Sequence, residues 1–216
     1  MTANNDAIII FSRLPIGQET KTRLAPIFNE TQREKLHLAM WQDIFSEVIK
    51  LRETDIFLYW TGSGGIKNYL QFIPSKFYIR QQKGCNLGEK MKIAIHEIFS
   101  ESYKRALIIG ADIPSMRAAN LERAFKVLNN HDVVIGPSED GGYWLIGMKK
   151  FIPEAFNISS WGNSSVLDST IMTLKNSGIS YNFADVLNDI DTPGDIKNFH
   201  DEDRLTYKFI MQNLTT

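Results

Sequence analysis

Arg105-Ala-Leu-Ile-Ile-Gly-Ala-Asp-Ile-Pro114 is the stretch of this 216-residue chain that predicts its fold. The unbroken apolar run is typical of a strand that is buried on both faces. Pro114 lacks a backbone donor, so the strand is expected to end before it. Asp112 is therefore predicted at the carboxyl edge of a sheet, which is the edge where open α/β sheets bind their ligands.

The rest of the chain alternates between strand and helix patterns. Residues 7–11 form another buried apolar run, and Thr31-Gln-Arg-Glu34 fits a capping box that opens a helix. Thr192-Pro-Gly-Asp195 has the order of an N-cap, a first-turn proline and a carboxylate. Further strands are predicted at 55–60, 77–80, 132–136, 143–148 and 179–184, and further helices at 66–72, 87–98, 120–128, 164–175 and 204–214.

This alternation predicts βαβ units. We expect a single α/β domain over residues 1–216, with three α/β/α layers, a mostly parallel Rossmann-like sheet and a flexible tail at residues 1–6. The helix that opens at Thr31 is predicted to bury one face, because its apolar residues repeat at helical spacing. These residues are Leu36, Met40, Ile44, Val48 and Leu51.

Composition and charge exclude several classes of function. Lys and Arg (24) nearly balance Asp and Glu (25), so no global basic field favours nucleic acid. No window approaches the ~18 apolar residues of a membrane span. The single cysteine, Cys85, rules out an intramolecular disulfide framework, and the N-terminal apolar run is too short for a signal-peptide core. We expect a cytoplasmic protein, in which Trp41, Trp60 and the other aromatic residues leave room for a homodimer interface.

Three aspartates are candidate ligands for Mg²⁺ or Mn²⁺. Asp112 either caps the turn before Pro114 or binds a hard cation, which prefers one or two carboxylates together with phosphate oxygens. Asp189 and Asp191 alternate along an extended segment, so both are predicted on one side of it. Helix capping explains Asp195 but neither of these two residues.

A basic cluster follows the first strand. Lys21-Thr-Arg23 is either a solvated basic turn or a phosphate clamp, in which Arg23 offers a bidentate fork and Lys21 a point charge. Gly110, just before the candidate metal ligand, permits close approach of a ligand to the backbone. The sequence leaves both interpretations of the cluster open.

A further polar group lies at Glu139-Asp-Gly-Gly-Tyr-Trp144. Two acids beside two glycines and two aromatic residues suit a pocket that binds hydroxyl groups and stacks on a ring, although an ordinary hairpin also fits. Glu139 or Asp140 is predicted to orient or deprotonate an acceptor hydroxyl. The residues assigned to the acceptor pocket are Gly141, Gly142, Tyr143 and Trp161.

Other chemistries lack support in the sequence. No two of the four histidines, His37, His96, His131 and His200, stand at metal-ligand spacing, and they are predicted to be structural. Cys85 lacks a local nucleophile signature. Neither a Walker motif nor a Gly-x-Gly-x-x-Gly motif after a strand is present.

Five ordered motifs resemble the bacterial DUF2064 family, the glycosyltransferase-like proteins of the GT-A, nucleotide-diphospho-sugar transferase superfamily. The resemblance covers roughly residues 7–199, and the N-terminal third is also similar to the 2-phospholactate guanylyltransferases. The motifs are Phe11-Ser-Arg-Leu-Pro15 with Lys21-Thr-Arg-Leu-Ala-Pro26, Gly84 with Leu87-Gly-Glu-Lys-Met91, Ile109-Gly-Ala-Asp-Ile-Pro114, Gly136-Pro-Ser-Glu-Asp-Gly-Gly-Tyr143 and Asp189-Ile-Asp-Thr-Pro193.

The resemblance implies a metal-assisted transferase that acts on a nucleotide donor. Asp112 matches the family's metal-ligand aspartate, and Lys21 and Arg23 match its phosphate-side loop, to which Arg13 is added. The chain departs from the usual pattern at three positions. It has Gln18 where a glycine is usual, Asn86 where an aspartate is common, and Lys90 where an arginine is common.

Three functions follow as hypotheses. The first is a Mg²⁺- or Mn²⁺-dependent, glycosyltransferase-like enzyme that uses a nucleotide-diphospho-sugar and a small-molecule acceptor and releases a nucleoside diphosphate. The second is a nucleotidyltransferase that uses a nucleoside triphosphate and a phosphorylated acceptor and releases pyrophosphate. The third is a catalytically silent nucleotide-binding protein.

Overall fold

The computed structural model describes residues 5–158, 161–162 and 164–214. In this part of the chain the strands are β1 (Asp6–Arg13), β2 (Thr54–Thr61), β3 (Tyr78–Gln81), β4 (Arg105–Gly110), β5 (Val133–Pro137), β6 (Tyr143–Met148) and β7 (Tyr181–Phe183). The α-helices are α1 (Glu30–Val48), α2 (Leu87–Ser100), α3 (Ala118–Val127), α4 (Val166–Asn176), α5 (Pro193–Asn198) and α6 (Leu205–Leu214). Short 3₁₀ helices lie at Thr22–Leu24, Ile66–Phe72 and Pro153–Phe156.

The strands form one mostly parallel sheet in the order β3-β2-β1-β4-β6-β5-β7, which confirms the predicted fold class. β1 is parallel to both of its neighbours, β2 and β4, and β5 is parallel to β7. β6 runs antiparallel between β4 and β5. The reversal arises because a short turn joins β5 to β6, whereas a parallel pair needs a long crossover.

Helices cover both faces of the sheet, and β1 shows why its apolar run is unbroken. Ile8 and Ile10 pack into the core beneath α1 and α3, while Ala7, Ile9 and Phe11 pack into the core beneath α2 and α4. Successive side chains of a strand point to opposite faces, so a strand covered on both sides needs apolar residues at every position. The three-layer prediction is confirmed.

Two predicted boundaries were wrong. Helix α1 begins at Glu30 and its capping box pairs Asn29 with Gln32, not Thr31 with Glu34. The Asn29 carboxamide accepts the Gln32 N–H, and the Gln32 carboxamide accepts the Asn29 N–H, each at 2.9 Å. The predicted apolar residues of this helix, from Leu36 to Leu51, are nevertheless all buried.

The predicted N-terminal tail is too long. Asp6 opens β1 and forms an ion pair with Arg105 at 2.6 Å, and the Asn5 carbonyl accepts the N–H of Lys104 at 2.7 Å. Residues 1–4 of the predicted tail lie outside the described residues. The chain is therefore ordered by the sheet from its first described residues onward.

A third, smaller core joins the C-terminal segment to the rest of the molecule. Ile190, Ile196 of α5 and Ile210 of α6 pack against Leu36 and Met40 of α1. Helix α5 starts as predicted, with the Thr192–Asp195 capping box and Pro193 at its first position. No described helix is long and apolar enough to cross a membrane. This core places the acidic segment around Ile190 beside the loop that follows β1.

Candidate active site

Asp112 lies just beyond β4, at the carboxyl edge of the sheet where the sequence predicted it. Its carbonyl oxygen accepts the Ile190 N–H at 3.0 Å. Its Oδ1 atom is buried and lies 2.9 Å from Lys21 Nζ, but without a well-aligned hydrogen bond, and the side chain as a whole is 44% exposed. Burial is the largest single influence on Asp112 and opposes its ionisation, yet Lys21, His37 and Arg13 together outweigh it and lower the pKa. Asp112 is thus an ionised carboxylate with one buried oxygen and an accessible side.

Lys21 is buried, and the solvated-turn interpretation therefore fails for it. Its side chain is 2% exposed, and its ammonium donates to the Ile190 carbonyl at 2.7 Å as well as contacting Asp112. Its backbone has φ 50° and ψ 38°, in the left-handed region that residues other than glycine adopt at a cost. Surrounding contacts must hold such a strained residue in place, and this pattern is frequent at functional sites.

Arg23 and Arg13 approach the same edge from the exposed side. The side chain of Arg23 is 73% exposed and its Nη1 atom lies 3.2 Å from Asp191 Oδ2. Arg13, the last residue of β1, is exposed, and its charge helps to lower the pKa of Asp112. Of the three predicted phosphate-binding cations, Lys21 and Arg13 therefore act on Asp112, while Arg23 pairs with Asp191.

The second acidic segment meets Asp112 through the backbone of Ile190. Asp189 and Asp191 flank that residue, whose side chain is buried, so both carboxylates lie on the side away from the core. Burial, together with the negative charges of Asp112, Asp140 and Asp191, raises the pKa of Asp189 to about 6, against the opposing charge of Lys21. The structure therefore brings the two acidic segments together, and their joint role as metal ligands stays a prediction.

The acidic residues fit an open half-site for a divalent cation. Among the described residues, no three His, Cys, Asp or Glu side chains form a ready-made metal cluster. The accessible side of Asp112 and the crowding that raises the pKa of Asp189 suit a cation that takes its other ligands from phosphate and water. Mg²⁺ or Mn²⁺ at Asp112, Asp189 and Asp191 stays a prediction.

Gly110 ends β4 next to this site. A methyl group built at Gly110 meets only the Ile113 side chain, at an ordinary 3.7 Å, so the packing of the protein does not itself require glycine here. Close approach of a ligand to the Gly110 backbone stays a prediction.

Glu139 and Asp140 occupy the exposed turn between β5 and β6. Asp140 Oδ1 accepts hydrogen bonds from the Ser138 hydroxyl and from the Gly142 N–H, the latter at 2.9 Å, so this carboxylate stabilises its own turn. The Glu139 N–H donates to Asn188 Oδ1 at 3.0 Å. The turn thereby lies beside the acidic segment.

The four residues assigned to an acceptor pocket are two glycines of this turn and two aromatic residues. Gly141 has φ +85°, and a methyl group there would lie 2.0 Å from the Ser164 carbonyl oxygen, so backbone packing accounts for this glycine without a ligand. Gly142 is only partly buried. Tyr143 and Trp161 meet edge to face with ring centroids 6.5 Å apart, and the Trp161 indole covers Gly88 at the start of α2. The pocket itself stays a prediction.

The sequence predicted a structural role for His37 and gave no sign that this residue lies beside Asp112. This residue of α1 is 2% exposed, and its Nε2 atom lies 4.0 Å from Asp112 Oδ1. Burial lowers the pKa of His37 to about 4, against the opposing charge of Asp112, so the ring is neutral near pH 7. Its hydrogen-bonding partners, Thr20 and Ser12, are 17 and 25 residues away, and no local spacing could have revealed them.

One of the departures from the family pattern, Asn86, has a local explanation, and the loop around a second, Gln18, is fixed by its neighbours. Asn86 is the N-cap of α2, and its side chain accepts the Glu89 N–H at 2.9 Å, a bond that an aspartate would make equally well. Gln18 follows Gly17, where a methyl group would lie 2.2 Å from the Glu30 carbonyl oxygen. The buried Arg33 guanidinium donates to the Gly17 carbonyl at 2.7 Å and so fixes this loop.

Comparison with known proteins places these features in a family. The DUF2064 family model, described as "Uncharacterized protein conserved in bacteria", matches residues 44–163. A 2-phospho-L-lactate guanylyltransferase of Methanocaldococcus vulcanius is 32% identical over 143 residues, which are 66% of this chain and 61% of that protein. The corresponding enzyme of Methanosphaera stadtmanae is 26% identical over 211 residues, which are 93% of this chain and 89% of that protein.

The chain spans about three fifths of the length of the first curated relatives that it matches, 61% and 62%. Among solved structures, a proposed nucleotide-diphospho-sugar transferase from Desulfovibrio desulfuricans G20 superposes with a TM-score of 0.88 and 25% identity. That match covers 97% of this chain and 95% of the other. The two proteins therefore share their fold over nearly the whole length of both chains.

Proposed function

The chain belongs to the DUF2064 family, and from its site we propose that it is a metal-dependent nucleotidyltransferase that uses a nucleoside triphosphate and a phosphorylated small molecule. One observation carries the proposal. The cations Arg13, Lys21 and Arg23 meet the carboxylates Asp112 and Asp191 at one edge of the sheet. A triphosphate with its counter-ion needs both kinds of group, and it carries more charge than a diphosphate sugar. The two guanylyltransferases named above support the same reaction class.

The proposed reaction forms one bond to phosphorus and breaks another. An oxygen of the acceptor phosphate attacks the α-phosphorus of the triphosphate, and the bond from that phosphorus to the bridging β-oxygen breaks. The electron pair leaves with pyrophosphate, whose developing charge Lys21, Arg23 and Arg13 stabilise. Arg23 gives up only an exposed ion pair with Asp191 to do so, which costs at most about 1 kcal/mol.

Asp112, with Asp191 or Asp189, would hold the cation. When bound, Mg²⁺ or Mn²⁺ neutralises phosphate charge and orients the phosphates. The residues of this chain set the boundary of that site, because Lys21 covers Asp112 Oδ1 and leaves the rest of the carboxylate accessible.

Glycosyl transfer is the second candidate, because the Desulfovibrio protein with the same fold is a proposed nucleotide-diphospho-sugar transferase. An acceptor hydroxyl has to lose a proton in that reaction, and the sequence offered Glu139 or Asp140 as the base. Both side chains are exposed, and Asp140 already accepts two hydrogen bonds in its own turn. A phosphate acceptor, whose second pKa is about 6, is ionised at neutral pH and needs no base. The geometry therefore supports nucleotidyl transfer better.

The products distinguish the two reactions. The purified protein is incubated with Mg²⁺ or Mn²⁺, each nucleoside triphosphate and 2-phospho-L-lactate or other phosphorylated acids, and pyrophosphate is measured. Parallel reactions contain nucleotide-diphospho-sugars, and release of nucleoside diphosphate is measured. We expect pyrophosphate that depends on the phosphorylated acceptor. Release of nucleoside diphosphate alone contradicts the proposal, and nucleotide binding without either product supports the silent nucleotide-binding hypothesis.

A further inference from the structure

A set of buried polar groups lies beneath the contact between Lys21 and Asp112. Ser12 comes from β1, Thr20 from the loop that follows it, and His37 from α1, and these residues are 5%, 2% and 2% exposed. His37 Nδ1 is hydrogen bonded to the Thr20 hydroxyl, and His37 Nε2 lies 3.2 Å from Ser12 Oγ. The imidazole ring therefore joins the strand to the loop.

The direction of each hydrogen bond follows from its neighbours. The Ser12 hydroxyl donates to the Arg13 carbonyl at 2.6 Å and accepts from Trp41 Nε1 at 2.7 Å. With its proton already used, Ser12 Oγ can only accept from His37, so His37 Nε2 carries the ring proton. Nδ1 is then an acceptor, and the Thr20 hydroxyl donates to it.

The hydrogen bond from Thr20 to His37 lies directly before Lys21 in the chain. Lys21 has a left-handed backbone directly after Thr20, and its ammonium is held between the Ile190 carbonyl and Asp112. We propose that His37 is a positioning residue, which sets the Lys21 ammonium against Asp112 by holding Thr20 from beneath. The His37 ring lies behind the Asp112 carboxylate, with Nε2 4.0 Å from Asp112 Oδ1. Its hydrogen bonds go to Thr20 and Ser12 instead. The effect on turnover rests on the proposed function, whereas the effect on Lys21 does not.

Thr20 supplies the cleanest variants. Thr20→Val removes the hydroxyl with little change of shape, and Thr20→Ser keeps it. Thr206→Val is a matched control, because the Thr206 hydroxyl is buried and has no hydrogen-bond partner among the described residues. His37→Phe removes both ring nitrogens, and if that variant does not fold, the threonine series still decides the question.

The first measurement is the reactivity of the Lys21 amine in the metal-free protein. Formaldehyde with a borohydride reductant methylates accessible amines, and peptide mass spectrometry gives the rate at each lysine. Lys83, whose side chain is 70% exposed, is the internal standard. We expect Lys21 to be protected in the wild type, Thr20→Ser and Thr206→Val, and to react about tenfold faster in Thr20→Val, the change that a lost buried hydrogen bond produces.

The second measurement is steady-state turnover with the triphosphate and acceptor. We expect kcat to fall about tenfold in Thr20→Val with a smaller change in KM, because the ammonium acts on charge that develops in the transition state. Thr20→Ser should restore kcat, and Thr206→Val should leave it unchanged. Because a loss of folded protein alone would also lower the apparent kcat at an unchanged KM, kcat is calculated per folded molecule, with the folded fraction measured by circular dichroism.

Each outcome has a consequence. Equal methylation of Lys21 in Thr20→Val and the wild type overturns the proposal, and so does an equal loss of kcat in Thr20→Ser and Thr20→Val. Faster methylation of Lys21 in Thr20→Val alone supports it. If that labelling pattern is found but the wild type releases no pyrophosphate, the proposed function fails and the positioning role stands.

Discussion

Two clusters of buried charge lie on or against helix α1. They differ in how their carboxylates are paired with hydrogen-bond donors. The site cluster consists of Lys21, Asp112, Asp189 and Asp191 and lies near the start of α1. The anchor cluster consists of Asp43, Glu47 and Arg204 and lies towards its end, where it holds α6. The Asp112 side chain is 44% exposed, while those of Glu47 and Arg204 are 6% and 3% exposed.

Donors surround the carboxylates of the anchor cluster. Arg204 Nη1 lies 3.1 Å from Glu47 Oε1, and the Ala118 N–H donates to Glu47 Oε2 at 3.0 Å. The two oxygens of Asp43 accept the N–H groups of Leu205 and Thr206, each at 2.9 Å, and so cap α6. Both carboxylates of the anchor cluster are thus fully paired, as buried acids in a stable fold require, whereas Arg204 Nε has no hydrogen-bond partner among the described residues.

Carboxylates crowd together in the site cluster instead. Burial and three neighbouring carboxylates raise the pKa of Asp189 to about 6, and Asp112 Oδ1 lacks a well-aligned hydrogen bond. The contrast teaches that buried charge by itself does not identify a functional site. Incomplete pairing of the acids, beside accessible cations, is the feature that distinguishes the candidate site from the anchor cluster.

The largest expected effect follows from Asp112→Asn. Loss of the charge should lower turnover by about 10²–10³-fold, the range found when one group that stabilises developing charge is removed. The unfolding midpoint should also fall, because the variant leaves the buried Lys21 ammonium without its charge partner, so turnover is compared per folded molecule. Initial rates of pyrophosphate release and thermal unfolding measure the two effects. Asp185→Asn is the matched control, since Asp185 is a 37% exposed carboxylate paired with Arg123 away from the site. Full turnover in Asp112→Asn contradicts the metal assignment.

Glu47→Gln should produce the opposite pattern. Breaking this buried ion pair leaves Arg204, among the described residues, with only the longer ion pair to Asp201, at 3.7 Å, and should destabilise the fold by about 3–5 kcal/mol. Turnover per folded molecule should stay within about twofold, because no substrate group is lost. Urea unfolding gives the stability, and Lys50→Met, which removes a 58% exposed partner of Glu47, should cost less than about 1 kcal/mol. A variant that keeps its stability but loses activity would place Glu47 in the site instead.

The anchor cluster should also make the fold sensitive to acid. Burial opposes ionisation of Glu47, but Lys50, the Ala118 N–H and Arg204 together hold its pKa below the ordinary 4.5. Because the folded-state pKa is the lower one, ionised Glu47 stabilises the fold above pH 4.5, and this contribution is lost as the pH falls through the folded-state pKa. The free energy of unfolding between pH 5 and about pH 3 should therefore fall more steeply in the wild type than in Glu47→Gln. Parallel profiles contradict this assignment.

The smallest effect is expected at the turn between β5 and β6. Glu139→Gln and Asp140→Asn should each change turnover by less than about threefold if the acceptor is an ionised phosphate, because no proton has to be removed. Removal of a general base would instead cost about 10²–10⁴-fold. Rates for both variants with the same acceptor decide between the two outcomes. A large loss at either residue favours transfer to a hydroxyl group.

Local signals predicted much of the framework. The apolar run of β4 and the proline after it placed Asp112 correctly, and the Thr192–Asp195 capping box placed the start of α5. Both features depend on neighbours in the chain. The start of α1 was misplaced because two capping patterns overlap there, and Asn29 supplied the better acceptor.

The surroundings of the site were less predictable, since they depend on distant partners. The buried Lys21 ammonium donates to the carbonyl of Ile190, which is 169 residues away in the chain. Its own sequence context therefore gave no sign of burial. His37 lies on a helix face whose partners come from β1 and the following loop. The pattern of residue types indicated which groups meet, while the tertiary fold determines which of them water can reach.

The backbone of Ile190 joins both halves of the site, since its N–H binds the Asp112 carbonyl and its own carbonyl binds Lys21. These bonds belong to a peptide group, so a change of side chain at this position leaves them in place. A change in chain length does not. Insertion or removal of one residue just before position 190 would turn an aspartate towards the third core and expose an isoleucine to the ligand. These two bonds therefore tolerate a change of side chain at position 190, but they fix the length of the segment.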